Sequence, residues 1–362
     1  MKMKKLVSLT LAVVTAASIA LTGCGNRIDE DAVVATLGDK EISLGLANFM
    51  AKRTAVTYND YYVSVAEGKV RDMWTQDMSG TGVTLEDTVK NAIMEQIHVS
   101  YLLEQHMEDY DVEITEEELA AIDETAEQFI ADNTDEALEK MGAKKEYVVE
   151  MLRLALIQQK MQDAIYATVD TKVSDEEAAQ KTISYFRVSD QGYYDEANNY
   201  VEYTDEEKEA AADTAKDAAD AAKEDFDKTA ESYTVRAYSY GDDELDEDGK
   251  AAGNMNAEVI KAANKLEEGE ISDPVYVEGD GYYIIRLDKE FDKEATEEKK
   301  TEIVEQRQLD EYTKMRDAYK EEVKWKVNEE VWADVNFNEI IITKKADTQE
   351  QNDTESVGET EQ

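Results

Sequence analysis

Basic residues, cysteine, histidine and proline are all scarce in this chain of 362 residues, and most of these scarcities close a class of function. Lysine and arginine number 39 against 85 aspartates and glutamates, a net charge of −46. Phosphate backbones are bound by clustered Lys and Arg, so no nucleic-acid partner is expected. A surface this acidic keeps a protein soluble and repels anionic surfaces. The one cysteine, Cys24, leaves no intramolecular disulfide and no other thiol nucleophile. The two histidines, His98 and His106, stand eight apart, not the four that lets two imidazoles on one helix meet one metal. Neither a zinc site nor a histidine-based triad is expected, and no metal or cofactor is called for. Glu244, Asp246, Asp248 and Gly249 imitate the start of an EF-hand loop, but its twelfth position is Met255, which argues against a high-affinity calcium site. No P-loop or dinucleotide fingerprint occurs. The only proline, Pro274, punctuates one turn late in the chain.

Long apolar runs are missing too, except at the N-terminus. Met1-Lys2-Met3-Lys4-Lys5 is basic, and Leu6 to Leu21 is apolar but diluted by Ser8, Thr10, Thr15 and Ser18. That run falls short of the roughly 20 apolar residues that span a bilayer and reads as a secretory signal. Leu21-Thr22-Gly23-Cys24 resembles the bacterial lipobox, a resemblance that implies cleavage before Cys24, acylation of its thiol, and anchoring at the extracytoplasmic face of a bacterial membrane.

What remains is enough for a folded protein, with 42% hydrophobic residues. Val33 to Ser43 reads as two short strands about a Gly38-Asp39 turn. Leu85, Val89, Ile93, Ile97 and Tyr101 make one apolar helix stripe, and Lys145 to Val169 predicts another helix. Thr84 with Asp87, Thr115 with Glu118, Ser174 with Glu177 and Thr204 with Glu207 have the spacing of helix-opening capping boxes. Strands are expected at Ile183–Val188 and Val235–Tyr240, and a Tyr- and Asn-containing loop over 190–203. Helices are expected from Glu206 to about Ser232 and from Ala257 to Leu266, then a hairpin turning at Gly279-Asp280-Gly281. From Thr296 a long helix carries Tyr312, Met315, Tyr319 and Val323 on one face and leads to an Ile340–Ile342 strand. Such a helix is marginal alone, so it is expected to pack on the N-terminal helices. The tail from Ala346 is polar, acidic and expected to be disordered.

The predicted class is α+β: a mainly helical domain, an inserted α+β domain, and a return helix that completes the first. This organisation resembles the SurA/PrsA family of extracytoplasmic foldases, in which a helical chaperone region is joined to a parvulin-type (PpiC, rotamase) peptidyl-prolyl isomerase domain. "VVATLGDKEISLGLANFM" from Val33, "VEITEEEL" within 83–119, and "GEISDPV" with "GYYIIRL" between Lys265 and Leu287 carry the resemblance. Glu224-Asp225-Phe226 to Tyr233 resembles the end of the parvulin's first helix. The implied divisions are a lipoprotein signal (1–23), a helical chaperone domain (24–175), a parvulin-like domain (176–292), a return helix and strand (293–343) and an acidic tail (344–362).

The resemblance also assigns residues. Active parvulins carry one histidine on the first strand and one in the final hairpin; here those positions hold Tyr185 and Tyr283. The prolyl-pocket positions fall at Met255 and Val259, and the family's acidic or thiol position has Asp242 and Asp243 as nearest candidates. Met50, Tyr61, Tyr62 and Trp74 are candidate client-binding residues, since Met and aromatic side chains suit promiscuous contact. The expected partners are unfolded, newly exported polypeptides and, through the lipid on Cys24, a membrane; a homodimer stays open. The expected function is a membrane-anchored foldase or chaperone with weak or lost isomerase activity. The alternatives are an active prolyl isomerase and a non-enzymatic envelope-assembly or solute-binding lipoprotein.

Overall fold

The computed structural model describes residues 28–65, 73–195, 197–246, 248–339 and 341; for 60–65 it describes only the backbone. In chain order the elements begin with β1 (Val33–Leu37), β2 (Lys40–Ser43), α1 (Leu44–Val65), α2 (Leu85–Gln105), α3 (Glu116–Asp132), α4 (Asp135–Met141) and α5 (Lys145–Tyr166). Then come β3 (Lys181–Val188), β4 (Gly192–Tyr194), β5 (Tyr200–Glu202), α6 (Asp205–Glu224), α7 (Phe226–Ala230), β6 (Arg236–Tyr240), α8 (Ala257–Ala263), β7 (Val275–Val277) and β8 (Gly281–Lys289). The chain closes with α9 (Lys293–Glu322), β9 (Trp325–Val327) and α10 (Glu329–Trp332). The architecture is α+β, as the sequence predicts. Among the described residues no helix is long and apolar enough to cross a membrane.

The residues divide into two compact units, the first comprising those to His106, Glu113–Gln158 and those from Lys320. Its sheet has the order β2-β1-β9, so a strand near the end of the chain lies antiparallel beside one near its start, Ala35 opposite Val327. Gly38 makes the β1–β2 turn at φ +58°, where a side chain would be strained. On α2, Val89, Ile93, Ile97 and Tyr101 are buried as their spacing predicts, together with Leu102 and Leu103. Thr115 and Glu118 form the complete reciprocal cap that opens α3. Inside, the Arg153 guanidinium donates twice to Glu150 at 2.8 Å and meets Glu104 at 2.6 Å, while the Tyr101 hydroxyl donates to Glu150 at 2.8 Å. Burial first, then Glu150, pushes that phenol well above its ordinary pKa. His98 is buried and stacks on Trp325 at 4.4 Å, helping to hold β9 in place. The strand expected at Ile340–Ile342 lies largely outside the described residues; Ile341 is buried in no strand, and β9 supplies the late strand instead.

The second unit comprises Met107–Val112 and Gln159–Tyr319. Its four strands run in the order β6-β3-β8-β7, each antiparallel to its neighbour. Alternation along the central strands feeds two cores. Phe186, Val188 and Ile284 face the alanine stripe of α6 (Ala215, Ala218, Ala219, Ala222). Ile183, Ile285 and Leu287 face α8 through Val259, Ile260 and Ala263. Thr204 and Glu207 cap α6 reciprocally. The predicted single helix to about Ser232 breaks at Asp225, whose side chain accepts from the Lys228 N–H and opens α7. The helix expected after Ser174 is only a turn: Ser174 caps the Glu177 N–H at 3.1 Å, but the Glu177 carboxylate pairs with Arg307 rather than returning to the cap.

Most of the return helix, to Tyr319, lies with this second unit, and only its last residues lie with the first. Within α9 just Thr296 and Tyr319 are buried. With so little apolar surface it is held by polar contacts: Arg307 donates to the carbonyls of Asp170 and Lys172 at 3.1 Å, and Lys300 pairs with Asp175. Tyr312 meets Tyr166 and Tyr319 meets Tyr110. Of the stripe expected to pack on the N-terminal helices, Tyr312 and Tyr319 thus meet residues of the second unit.

Asp292 ties the sheet's entry to its exit. Its carboxylate accepts from the Thr182 hydroxyl at 2.7 Å, from the Lys289 ammonium at 2.9 Å and from the Glu294 N–H at 3.1 Å. Its backbone N–H donates to the Gln180 carbonyl at 2.7 Å, and the Gln180 N–H returns to the Thr296 hydroxyl at 3.1 Å. The Thr182 hydroxyl first, then Lys289, lowers the Asp292 carboxyl to about 2. Because the folded value is depressed, the stabilisation is complete above the unfolded carboxylate pKa of about 3.9. It is lost as pH falls from there through about 2. Asp292→Asn is therefore expected to lower the urea midpoint at neutral pH and to flatten the acid limb of stability between about pH 4 and 2; identical profiles for the two proteins would contradict this.

Candidate functional site

β3 and β8 place the two tyrosines of interest on the α8 face of the second unit's sheet. Tyr185 lies opposite Ile285 and Tyr283 opposite Arg187, so the rings are diagonal neighbours. Their centroids are 5.5 Å apart at 37°. Tyr283 is 9% exposed, and Tyr185 packs half-buried against the same cluster. Met255 and Val259 belong to that cluster as well, so the structure brings together all four residues assigned to a parvulin-like site.

The hydroxyl of Tyr283 is committed. It donates to Asp280, whose other carboxylate oxygen pairs with Arg187. Asp280 sits in the β7–β8 turn, between Gly279 at φ +77° and Gly281 at φ +115°. A Cβ on Gly281 would lie 2.3 Å from the Val188 carbonyl oxygen, so this close approach requires glycine. Burial raises the Tyr283 phenol above its ordinary pKa, with Arg187 opposing. The site therefore offers a neutral phenol as donor, its carboxylate acceptor, and an apolar floor of Met255 and Val259. A neutral imidazole pair, in which one ring nitrogen donates and the other accepts, has no counterpart here.

Neither Asp242 nor Asp243, the nearest candidates for the acidic position, is buried beside this cluster; the buried carboxylate there is Glu244. Asp243 turns away to Lys299 at 3.0 Å. Glu244 is buried, and one of its oxygens accepts from the Tyr238 hydroxyl at 2.7 Å and from the Met255 N–H at 2.9 Å. Burial, then Glu244, pushes the Tyr238 phenol up to about 12. Gly253 leaves the space this carboxylate fills, since a Cβ there would come within 2.2 Å of it. The available signal was the Glu244-to-Gly253 spacing, which the sequence shows only as an incomplete calcium loop.

The other assigned residues lie elsewhere. Met50 and Trp74 are 4% and 2% exposed, and so fill the first unit's core instead of facing a client. Trp74 contacts Phe337 and Tyr58, with ring centroids 4.7 and 5.6 Å away. Tyr61 and Tyr62 fall in the last turns of α1, where side chains lie outside the described residues, as does Cys24. Among the described residues no cluster of His, Cys, Asp or Glu could hold a metal ion.

Residues 190–300 match the family model of the PPIC-type PPIASE domain. A peptidylprolyl isomerase (PrsA) of Bacillus cereus is similar at 21% identity over 72% of this chain and 97% of that one, with a TM-score of 0.30. PrsA of Bacillus subtilis is similar at 21% identity over 66% and 87%, with a TM-score of 0.24. One of two structurally related SurA-like chaperones of Campylobacter jejuni is similar at 11% identity over 82% and 98%, with a TM-score of 0.27. No curated protein matches. The match covers β4 to the start of α9, includes Tyr283, Met255 and Val259, and begins just after the β3 strand that carries Tyr185. Residues 190–300 thus match the PPIC-type PPIASE domain family within a chain of α+β architecture.

Proposed function

We propose that the protein is an extracytoplasmic foldase that holds unfolded exported polypeptides, is anchored through a lipid on Cys24, and carries an isomerase domain of weak or lost activity. The divisions proposed are those of the sequence: signal to residue 23, chaperone domain 24–175 completed by 293–343, isomerase-like domain 176–292, and an acidic tail. The observation that carries the reading is the tyrosine pair. Rotation about an X–Pro bond crosses about 18–20 kcal/mol set by amide resonance. An enzyme lowers it by binding the twisted imide better than the planar one, through a dry pocket and hydrogen bonds tuned to the twisted state. Met255 and Val259 keep a dry floor, but the Tyr283 hydroxyl is held by Asp280 and is not free to follow the twisting bond.

A second reading, a working prolyl isomerase, is favoured by the grouping of Tyr185, Tyr283, Met255, Val259 and Tyr238 in one cluster, with Glu244 hydrogen-bonded to it. A protease-coupled proline-peptide assay separates the two. Turnover near the uncatalysed rate, unchanged in Tyr283→Phe, is expected; catalysis that vanishes in that variant would favour the enzyme. Retarded aggregation of an unfolded client by the chain lacking residues 1–24 is expected from the foldase and would count against a solute-binding lipoprotein.

Glu244 bears on both readings because it positions Met255. Glu244→Ala orphans the Tyr238 hydroxyl and the Met255 N–H, at about 1–3 kcal/mol for each buried donor left unpaired. Glu244→Gln keeps an acceptor oxygen and is expected to lose less. Urea unfolding that finds the two variants equally stable would remove Glu244 from this role.

A further inference from the structure

The second unit displays exposed tyrosines that neither of its cores uses, Tyr194 and Tyr200 on one face of a short ribbon and Tyr193 on the other. Among the described residues β4 and β5 pair only with each other, Gly192 opposite Glu202, Tyr193 opposite Val201 and Tyr194 opposite Tyr200. Tyr194 is 68% exposed, Tyr200 52% and Tyr193 49%. A two-stranded ribbon is marginal in water without a covered face, and large exposed apolar groups grouped in one place mark interaction sites.

The ribbon is nevertheless well built. The Asp195 carboxylate accepts from the N–H groups of Ala197 and Asn199, at 2.9 and 2.8 Å, and closes the turn. The Tyr200 ring lies over Gly192, where a Cβ would come within 2.9 Å of it. Tyr194 and Tyr200 meet edge to face at 5.4 Å, and Tyr193 meets Tyr203 at 5.9 Å. The rings are thus held in place yet face solvent, an arrangement that costs little entropy on binding.

Charge selects the occupant. No lysine or arginine occurs between Arg187 and Lys208, while Asp195, Glu202, Asp205, Glu206 and Glu207 do. A second copy of this chain, or a nucleic acid, would meet like charge from a protein of net charge −46. Cations, in contrast, are drawn both to carboxylates and to the faces of tyrosine rings. Each strand also leaves one ladder edge unpaired among the described residues, where an extended backbone can add.

We propose that the β4–β5 ribbon binds extended, lysine- and arginine-rich segments of unfolded polypeptide, with their cations over Tyr194 and Tyr200 and beside Glu202, where they displace the Lys208 ammonium that stands 3.5 Å away. The proposal rests on the foldase reading for the source of such segments.

Fluorescence anisotropy with the full chain and two labelled extended peptides tests it, one alternating lysine and leucine, the other with glutamine at every lysine. The basic peptide is expected to bind at least about tenfold more tightly at low salt, with the advantage shrinking as ionic strength rises. Tyr194→Ser/Tyr200→Ser keeps the net charge, and is expected to lose about tenfold in affinity for the basic peptide with an unchanged urea midpoint. Glu202→Gln is expected to lose less. Equal binding of the two peptides, or undiminished binding by the double tyrosine variant, overturns the proposal. Aggregation of an uncharged unfolded client, followed in parallel, reports on the foldase reading separately. A chain that retards aggregation but fails the peptide comparison loses only the ribbon's role. One that passes the comparison without retarding aggregation keeps that role and loses the foldase.

Discussion

The antiparallel pairing of β3 with β8 is the constraint on which the rest of the second unit depends. It joins residues about a hundred positions apart and is therefore costly to close before its contacts reward it. Once formed, it fixes three things together. It sets Phe186 and Ile284 toward α6, and Ile183, Ile285 and Leu287 toward α8. It makes Tyr185 and Tyr283 diagonal neighbours. It brings Gln180 and Thr182 to Asp292 and Thr296, so that the loop ends are locked by hydrogen bonds. A slip of one residue would turn every one of these side chains to the wrong face.

The cluster at the α8 face pairs an apolar floor with polar groups that are phenols. Met255, Val259 and the buried Glu244 carboxylate lie in or beside one cluster whose two central polar side chains are the phenols of Tyr185 and Tyr283. A phenol and an imidazole fill similar space and both make hydrogen bonds. They differ in that the phenol of Tyr283, its pKa raised by burial, keeps its proton and already donates its one hydrogen bond to a carboxylate. That commitment favours a stable turn at Asp280 over a mobile donor at a reacting bond.

Much of this was legible in the sequence, and the failures have physical causes. The Thr115/Glu118 and Thr204/Glu207 caps mark helix starts because both reciprocal hydrogen bonds form. The same spacing at Ser174 fails because Glu177 has a stronger partner in Arg307, far along the chain. Gly281 to Leu287 reads as a buried strand from its composition alone. β9 does not, since Trp325-Lys326-Val327 is too short to show alternation and exists only because β1 offers an edge. The β4–β5 ribbon was hidden in a run that reads as loop, where strands of three residues carry no periodic signal. Glu244 was hidden by abundance: among 85 carboxylates, its spacing to Gly253 is too weak a signal to single it out as buried. Met50 and Trp74 were misjudged because the residue types that suit a loose client surface are those that fill a core.

The closure at Asp292 also determines how the second unit meets a mechanical load. Gln180 enters β3 and Asp292 leaves β8 at the same end of one antiparallel pair. Tension applied through these two points does not shear the ladder, in which case many bonds would resist at once. It peels the strands apart like a zip, one rung at a time, and the first rungs to part are those that Asp292 holds.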